Sequence, residues 1–234
     1  MPRIPQEEKE KGSQKWLQIL VNKHPELIKP KLVESLKLVD GEEVTWVSPL
    51  ATDKFAEYSD EQFLKALEIE LKKHPLQKFW PPRGPNWDGL AKTNKGKIIL
   101  VEAKSHIAEI NSPKSGAASK KSLNLIRKSL KETKDNLGCK TEVDWATRFY
   151  QYTNRLAHLY LLTVLNRIDA YLVVILFLND TSHNSDSLVC PKTSSEWEAV
   201  IELLERHLGL PTNHKLSDYV KHIFIDVKVL KDHA

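Results

Sequence analysis

Between residues 13 and 38 apolar positions recur at helical spacing: Trp16, Leu17, Leu20 and Val21, then Leu27, Ile28, Leu32, Val33 and Leu36. Pro25 and Pro30 punctuate the run, so the pattern predicts two short helices. They read as a separate small layer, an N-terminal helical extension over 1–40, ahead of a second domain over 41–234. A turn at Asp40-Gly41 leads to a short extended segment over 44–47, ended by Pro49. Ser59 and Gln62 have the spacing of a capping box, and Phe63, Leu64, Leu67 and Leu71 follow on one face, which predicts a helix over 60–73. Residues 79–85 hold Pro81, Pro82, Gly84 and Pro85; these remove donors and fix φ, so a rigid loop is expected there. After a turn at Asn94-Lys95-Gly96, residues 97–104 carry Ile98, Ile99, Leu100 and Val101 in succession, the mark of a strand covered on both faces.

Further on, Leu123, Ile126 and Leu130 predict a basic amphipathic helix over 119–136, and residues 144–165 a long, mostly apolar one. A second buried strand is expected over 170–178, a helix over 194–208 and a last strand over 222–230. This order of elements predicts an α/β fold with a central mixed β-sheet flanked by helices.

Composition narrows the class. The chain of 234 residues is 41% hydrophobic, enough for a real core. No apolar run approaches the ~20 residues of a membrane helix, and the charged N-terminus lacks the apolar stretch of a signal peptide, so a cytoplasmic protein is expected. Cys139 and Cys190 fall in expected loops, which argues against a disulfide scaffold or a thiolate metal cage. Net charge is only +4, yet residues 113–140 hold eight bases against Glu132 and Asp135. Such a concentration suits a polyphosphate, and Lys120, Lys121 and Arg127 are the nucleic-acid candidates; a solvated lysine-rich face is the alternative.

The acid-x-lysine triplet occurs five times, and position separates the cases: only Glu102/Lys104 and Asp226/Lys228 fall on expected strands. Residues two apart in a strand share a face, so Glu102 and Lys104 leave an otherwise apolar strand side by side. Asp88 precedes Glu102 by fourteen positions across the glycine-containing turn, where antiparallel neighbours meet. Two carboxylates converging beside a lysine make a hard-oxygen site for Mg²⁺ or Mn²⁺. Asp226/Lys228 has no such upstream acid and reads as a strand-edge ion pair.

The segments Pro85-Asn86-Trp87-Asp88 and Val101-Glu102-Ala103-Lys104 resemble the two halves of the motif of PD-(D/E)xK, restriction-endonuclease-like nucleases. The proline stands three residues before the aspartate rather than beside it. Residues 55–60, 79–88, 101–106 and 144–160 resemble a bacterial branch of that superfamily to which no reaction is assigned. The likeness covers roughly 44–230. It implies a restriction-endonuclease-like core in which Asp88 and Glu102, assisted by the Ala103 carbonyl, hold the metal. Lys104 would orient or activate the attacking water and steady the developing charge. A further glutamate from the first core helix is implied, with Glu57 favoured over Glu68. On the helix over 144–165, Gln151, Asn154, Arg155 and His158 form a polar stripe. The resemblance makes Gln151 a site residue, with Arg155 and Asn154 as phosphate or nucleic-acid contacts. His106 continues the strand face behind Lys104 and reads as structural support; Trp80 and Trp87 could stack on bases, but six tryptophans in a chain of this size mostly serve packing. The expected activity is metal-dependent hydrolysis of phosphodiester bonds in nucleic acid, DNA ahead of RNA, by one copy or a homodimer. The competing expectation is an inactive nucleic-acid-binding or regulatory protein that keeps the fold.

Overall fold

The computed structural model describes residues 3–182 and 189–231. Its elements in chain order are β1 (Arg3–Ile4), α1 (Gly12–Asn22), α2 (Pro25–Ser35), β2 (Val44–Ser48), β3 (Glu57–Tyr58), α3 (Asp60–Ala66), α4 (Leu76–Phe79), β4 (Gly89–Thr93), β5 (Ile98–Lys104), α5 (Lys120–Asn136), α6 (Tyr150–Tyr160), β6 (Ala170–Leu178), α7 (Ser194–Leu208), β7 (Val220–Asp226) and α8 (Val227–Lys231). The main sheet has five strands in the order β2-β4-β5-β6-β7. The pairs β2-β4 and β4-β5 are antiparallel, whereas β5-β6 and β6-β7 are parallel, so the expected mixed sheet is present. The change of sense is forced by the connections. Gly96, at φ +87°, closes a tight turn between β4 and β5, while helices carry the chain from β5 to β6 and from β6 to β7.

The continuous apolar runs of β5 and β6 divide between two cores. Ile98, Leu100, Leu172, Val174 and Leu176 face α5, α6 and α7. Ile99, Val101, Ala103, Val173, Ile175 and Phe177 face Trp16, Leu17, Leu20, Ile28 and Leu32. The helices of the expected N-terminal extension are therefore a layer of the same sandwich, and they share their core with the sheet.

Three expected elements differ, each for a local reason. α3 ends at Ala66 rather than near Lys73, because Glu68 turns left-handed (φ 59°) and Ile69 N–H donates back to the Leu64 carbonyl at 2.8 Å. The Ser59 side chain makes no capping bond: Asp60 is itself left-handed (φ 50°), and its carboxylate accepts the Arg83 and Gly84 N–H groups at 3.0 and 2.8 Å. α6 starts at Tyr150, after Phe149 at φ 52°, and residues 144–149 form a turn in which Asp144 accepts the Ala146 N–H. The last strand stops at Asp226, whose carboxylate accepts the Lys228 N–H at 2.9 Å and Asn179 at 2.8 Å. That acid starts α8 and makes no strand-edge ion pair with Lys228. Among the described residues, no helix is long and apolar enough to cross a membrane.

Candidate metal centre

Where β4 begins, Gly89 pairs with Val101 and Leu90 with Leu100, a register that carries Asp88 opposite Glu102. A side chain at 89 would be crowded: a Cβ there would lie 3.2 Å from both the Ser48 carbonyl oxygen and the Val101 side chain. Glycine lets β4 close against β5 and β2 at this point. Asp88 lies just before the strand, and its Oδ2 accepts the Ala103 N–H at 2.9 Å. The side chain thus completes the ladder where the backbone of residues 85–88 turns away. Trp87 N–H donates instead to the Tyr58 carbonyl at 3.0 Å, which draws β3, and Glu57 with it, against the loop.

Glu102 and Lys104 end β5 on the α6 side of the sheet, both buried. The Glu102 carboxylate has no free oxygen. Lys104 donates to Oε1, and Arg155 Nε donates to Oε2 at 2.7 Å. Arg155 is fixed in turn: it donates to the Asn86 carbonyl at 2.6 Å and to Asn154 Oδ1 at 3.1 Å, and its guanidinium lies 4.6 Å over the Trp87 ring. Lys104 Nζ also donates to Gln151 Oε1 at 3.0 Å. Gln14, on α1, donates to buried Glu57.

Charge follows from this packing. Burial and the Glu102 charge push the Asp88 carboxyl up to about 8, although Asp88 itself is half-exposed on a cavity wall. Burial also opposes ionisation of Glu102, but Arg155 and Lys104 outweigh it and hold that carboxyl below its ordinary range. For Lys104, burial is outweighed by the charges of Glu102 and Asp88, so the ammonium titrates above the usual lysine range. Burial raises Glu57 as well.

A cavity of about 370 Å³ opens beside these groups, lined by Lys11, Gly12, Ser13, Gln14, Asp88, Lys104, His106, Glu109 and Gln151. Asp88, Glu102, Lys104 and Gln151 are thus brought to one place, with Glu57 and Arg155 behind them. The donor chemistry fits Mg²⁺ or Mn²⁺: two hard carboxylates, one open to the cavity, with the Ala103 backbone adjacent. Among the described residues no three His, Cys, Asp or Glu side chains group to hold a metal by themselves. Two carboxylates suit Mg²⁺, which ordinarily keeps waters and takes its remaining ligands from phosphate.

Other expected contacts lie elsewhere. Arg155 and Asn154 are 3% and 5% exposed, so neither is a surface phosphate contact. The expected polar stripe faces inward, since α6 lies between the sheet and α5. His158 is buried among Phe63, Trp80 and Trp87, and burial lowers it to about 3; the neutral ring bonds the Asn154 carbonyl at 2.8 Å. Trp80 and Trp87, 2% and 0% exposed, pack this cluster and present no face for base stacking. Glu68 is exposed and pairs with Lys92 at 2.6 Å. Lys120 and Lys121 are exposed at the start of α5, outside the cavity, and Arg127 pairs with Asp144 at 3.0 Å.

Sequence reasoning missed Ser13, Gln14 and Glu109. Glu109 accepts from Ser13 Oγ at 2.5 Å and from the Ser105 N–H at 3.0 Å, and approaches His106 Nε2 at 3.2 Å. Ser13 and Glu109 are 96 positions apart and Gln14 and Glu57 are 43 apart, so no local spacing signals either pair. No protein-family model, curated protein or solved structure matches the chain.

Proposed function

We propose that this chain is a divalent-metal-dependent nuclease of the PD-(D/E)xK type, hydrolysing phosphodiester bonds in nucleic acid, with DNA as the first substrate to test. The observation that carries the reading is the pairing of Asp88 opposite buried Glu102, with Asp88 and Lys104 on the wall of one cavity. The element order α1, β2, β4, β5, α6, β6, three antiparallel strands followed by a parallel one, supports a restriction-endonuclease-like core.

Asp88, Glu102 and the Ala103 carbonyl would hold Mg²⁺ or Mn²⁺, which supplies Lewis-acid activation of the phosphate and a water of lowered pKa. Two like charges forced together in a poorly solvated place raise Asp88, and a divalent cation relieves that repulsion. The charges of Glu102 and Asp88 favour the ammonium form of Lys104, and its role would be to orient or activate the attacking water and offset charge developing on phosphorus. Gln151 fixes the ammonium through its carbonyl oxygen.

The test is cleavage of single- and double-stranded DNA and RNA in Mg²⁺ and Mn²⁺. Lys104→Ala and Asp88→Asn are each expected to lower the rate by on the order of 10²-fold or more. Folded wild-type protein that leaves every substrate intact would sink the proposal. One feature favours a second reading, an inactive nucleic-acid-binding protein: both oxygens of Glu102 are already engaged. That reading calls for salt-dependent DNA binding that chelator leaves unchanged, and for no heat on Mn²⁺ titration beyond dilution.

A further inference from the structure

Arg155 is a cation whose every described contact is internal, set on the carboxylate that the proposed metal would share. It reaches Glu102 Oε2 at 2.7 Å and is locked by Asn86, Asn154 and Trp87. With all four acids ionised, as ligation requires of Asp88, the charges around the cavity balance. The acids are Glu57, Asp88, Glu102 and Glu109; the bases are Lys9, Lys11, Lys104 and Arg155. A divalent ion entering alone would leave an excess of two positive charges in a poorly solvated site, at a cost that grows as the local dielectric falls. Each phosphodiester entering with it removes one of them.

Resting on the nuclease reading, we propose that Arg155 makes divalent-ion binding at Asp88 and Glu102 conditional on the anionic substrate. Arg155 is a positioning residue: it holds Glu102 in place and neutralises it until a phosphodiester monoanion arrives in the cavity beside Lys104 and Lys11. Two carboxylates suffice under this arrangement, because the phosphate supplies the missing ligands. The coupling is reciprocal, so the metal tightens the phosphodiester by the same factor.

The experiment is calorimetric titration of Mn²⁺ into the full chain, without additive, in saturating dimethyl phosphate, and in trimethyl phosphate as the uncharged control. Wild type should bind Mn²⁺ at least about tenfold more tightly with dimethyl phosphate, and no more tightly with trimethyl phosphate. Arg155→Gln should bind Mn²⁺ alone about tenfold more tightly than wild type and lose most of the coupling, whereas Arg155→Lys, which keeps the charge, should retain it. A purely structural arginine would lower Tm in both variants and leave the coupling alike in both. Coupling below about threefold in wild type, or full coupling in Arg155→Gln, overturns the proposal. Should Arg155→Gln fail to fold, Arg155→Met, uncharged and close in volume, takes its place with the same expected loss of coupling, and full coupling in it overturns the proposal. Tight Mn²⁺ binding without phosphate, together with DNA cleavage, would refute this inference and leave the nuclease reading standing; no Mn²⁺ binding under any condition would refute both.

Discussion

Asp88 and Glu102 are both carboxylic acids but differ in their partners, and substitutions should separate them. Asp88 has one backbone N–H and a neighbouring carboxylate; Glu102 has two cations. The folded-state carboxyl of Asp88 titrates near 8, above its unfolded value. Its effect on folding is therefore neutral below about pH 4, where both states are protonated. The cost accumulates as pH rises toward 8, because only the unfolded chain ionises freely. Asp88→Asn keeps an oxygen for the Ala103 N–H and removes this cost. Metal-free Asp88→Asn should be more stable than wild type at pH 8, by on the order of 1–2 kcal/mol after allowance for its partial exposure, and the gain should vanish near pH 4. Thermal melts at the two pH values check it; an equal or lower Tm at pH 8 would count against the assigned shift. Glu102→Gln has the opposite sign, since it leaves Lys104 and Arg155 without their carboxylate. A loss of about 3–5 kcal/mol is expected in urea unfolding. At this scale the residue types and spacing of Asp88, Glu102 and Lys104 carry the signal in the sequence, while Gln151 was implied by the resemblance. Arg155 was expected as a phosphate contact, and its bond to Glu102 was not legible, because a buried arginine and a surface one look alike until the partner across 53 positions is known.

Elements were legible where one apolar face matched one layer. β6 over Ala170–Leu178 and α7 over Ser194–Leu208 follow directly from their runs, and the structure adds the Thr193 and Gly209 caps of α7. The C-cap of α7 needs Gly209 at φ +71°, and a Cβ there would meet the Thr141 side chain at 2.6 Å. Gly209→Ala should cost about 1–3 kcal/mol, read from chemical denaturation, and a loss under 0.5 kcal/mol would show that the loop yields. The shortened α3 and α6 were not legible. The end of α3 and the start of α6 depend on left-handed Glu68 and Phe149, residue types that seldom adopt that conformation without a tertiary reason. α1 and α2 show the same limit from the packing side. Leu17, Leu20, Ile28 and Leu32 are at most 1% exposed against the sheet. Leu20→Ala should therefore cost about 2–5 kcal/mol, and removal of residues 1–38 should abolish the cooperative unfolding transition seen by circular dichroism. A truncated chain that still melts cooperatively would show the two layers to be independent.

Over the whole molecule the charge is mild, +4, and its placement sets where a polyanion could lie. Lys120 and Lys121 are exposed on α5 and free to meet phosphates, whereas Arg127, at 3.0 Å from Asp144, is partly committed. Replacing Lys120 and Lys121 by alanine should reduce the slope of log affinity for duplex DNA against log salt by about 0.9 for each phosphate that is no longer neutralised. An unchanged slope would remove α5 from the nucleic-acid surface. The sequence by itself determined the α/β class, the two apolar central strands and the adjacency of Asp88, Glu102 and Lys104, because hydrophobic period, turn chemistry and strand register are local properties. Only the tertiary structure decided that the N-terminal helices roof the sheet, that α6 turns Asn154, Arg155 and His158 inward, and that Ser13 and Gln14 border the cavity. Those outcomes depend on which surfaces meet, and long-range packing is set by the mutual fit of layers rather than by the spacing within any one of them.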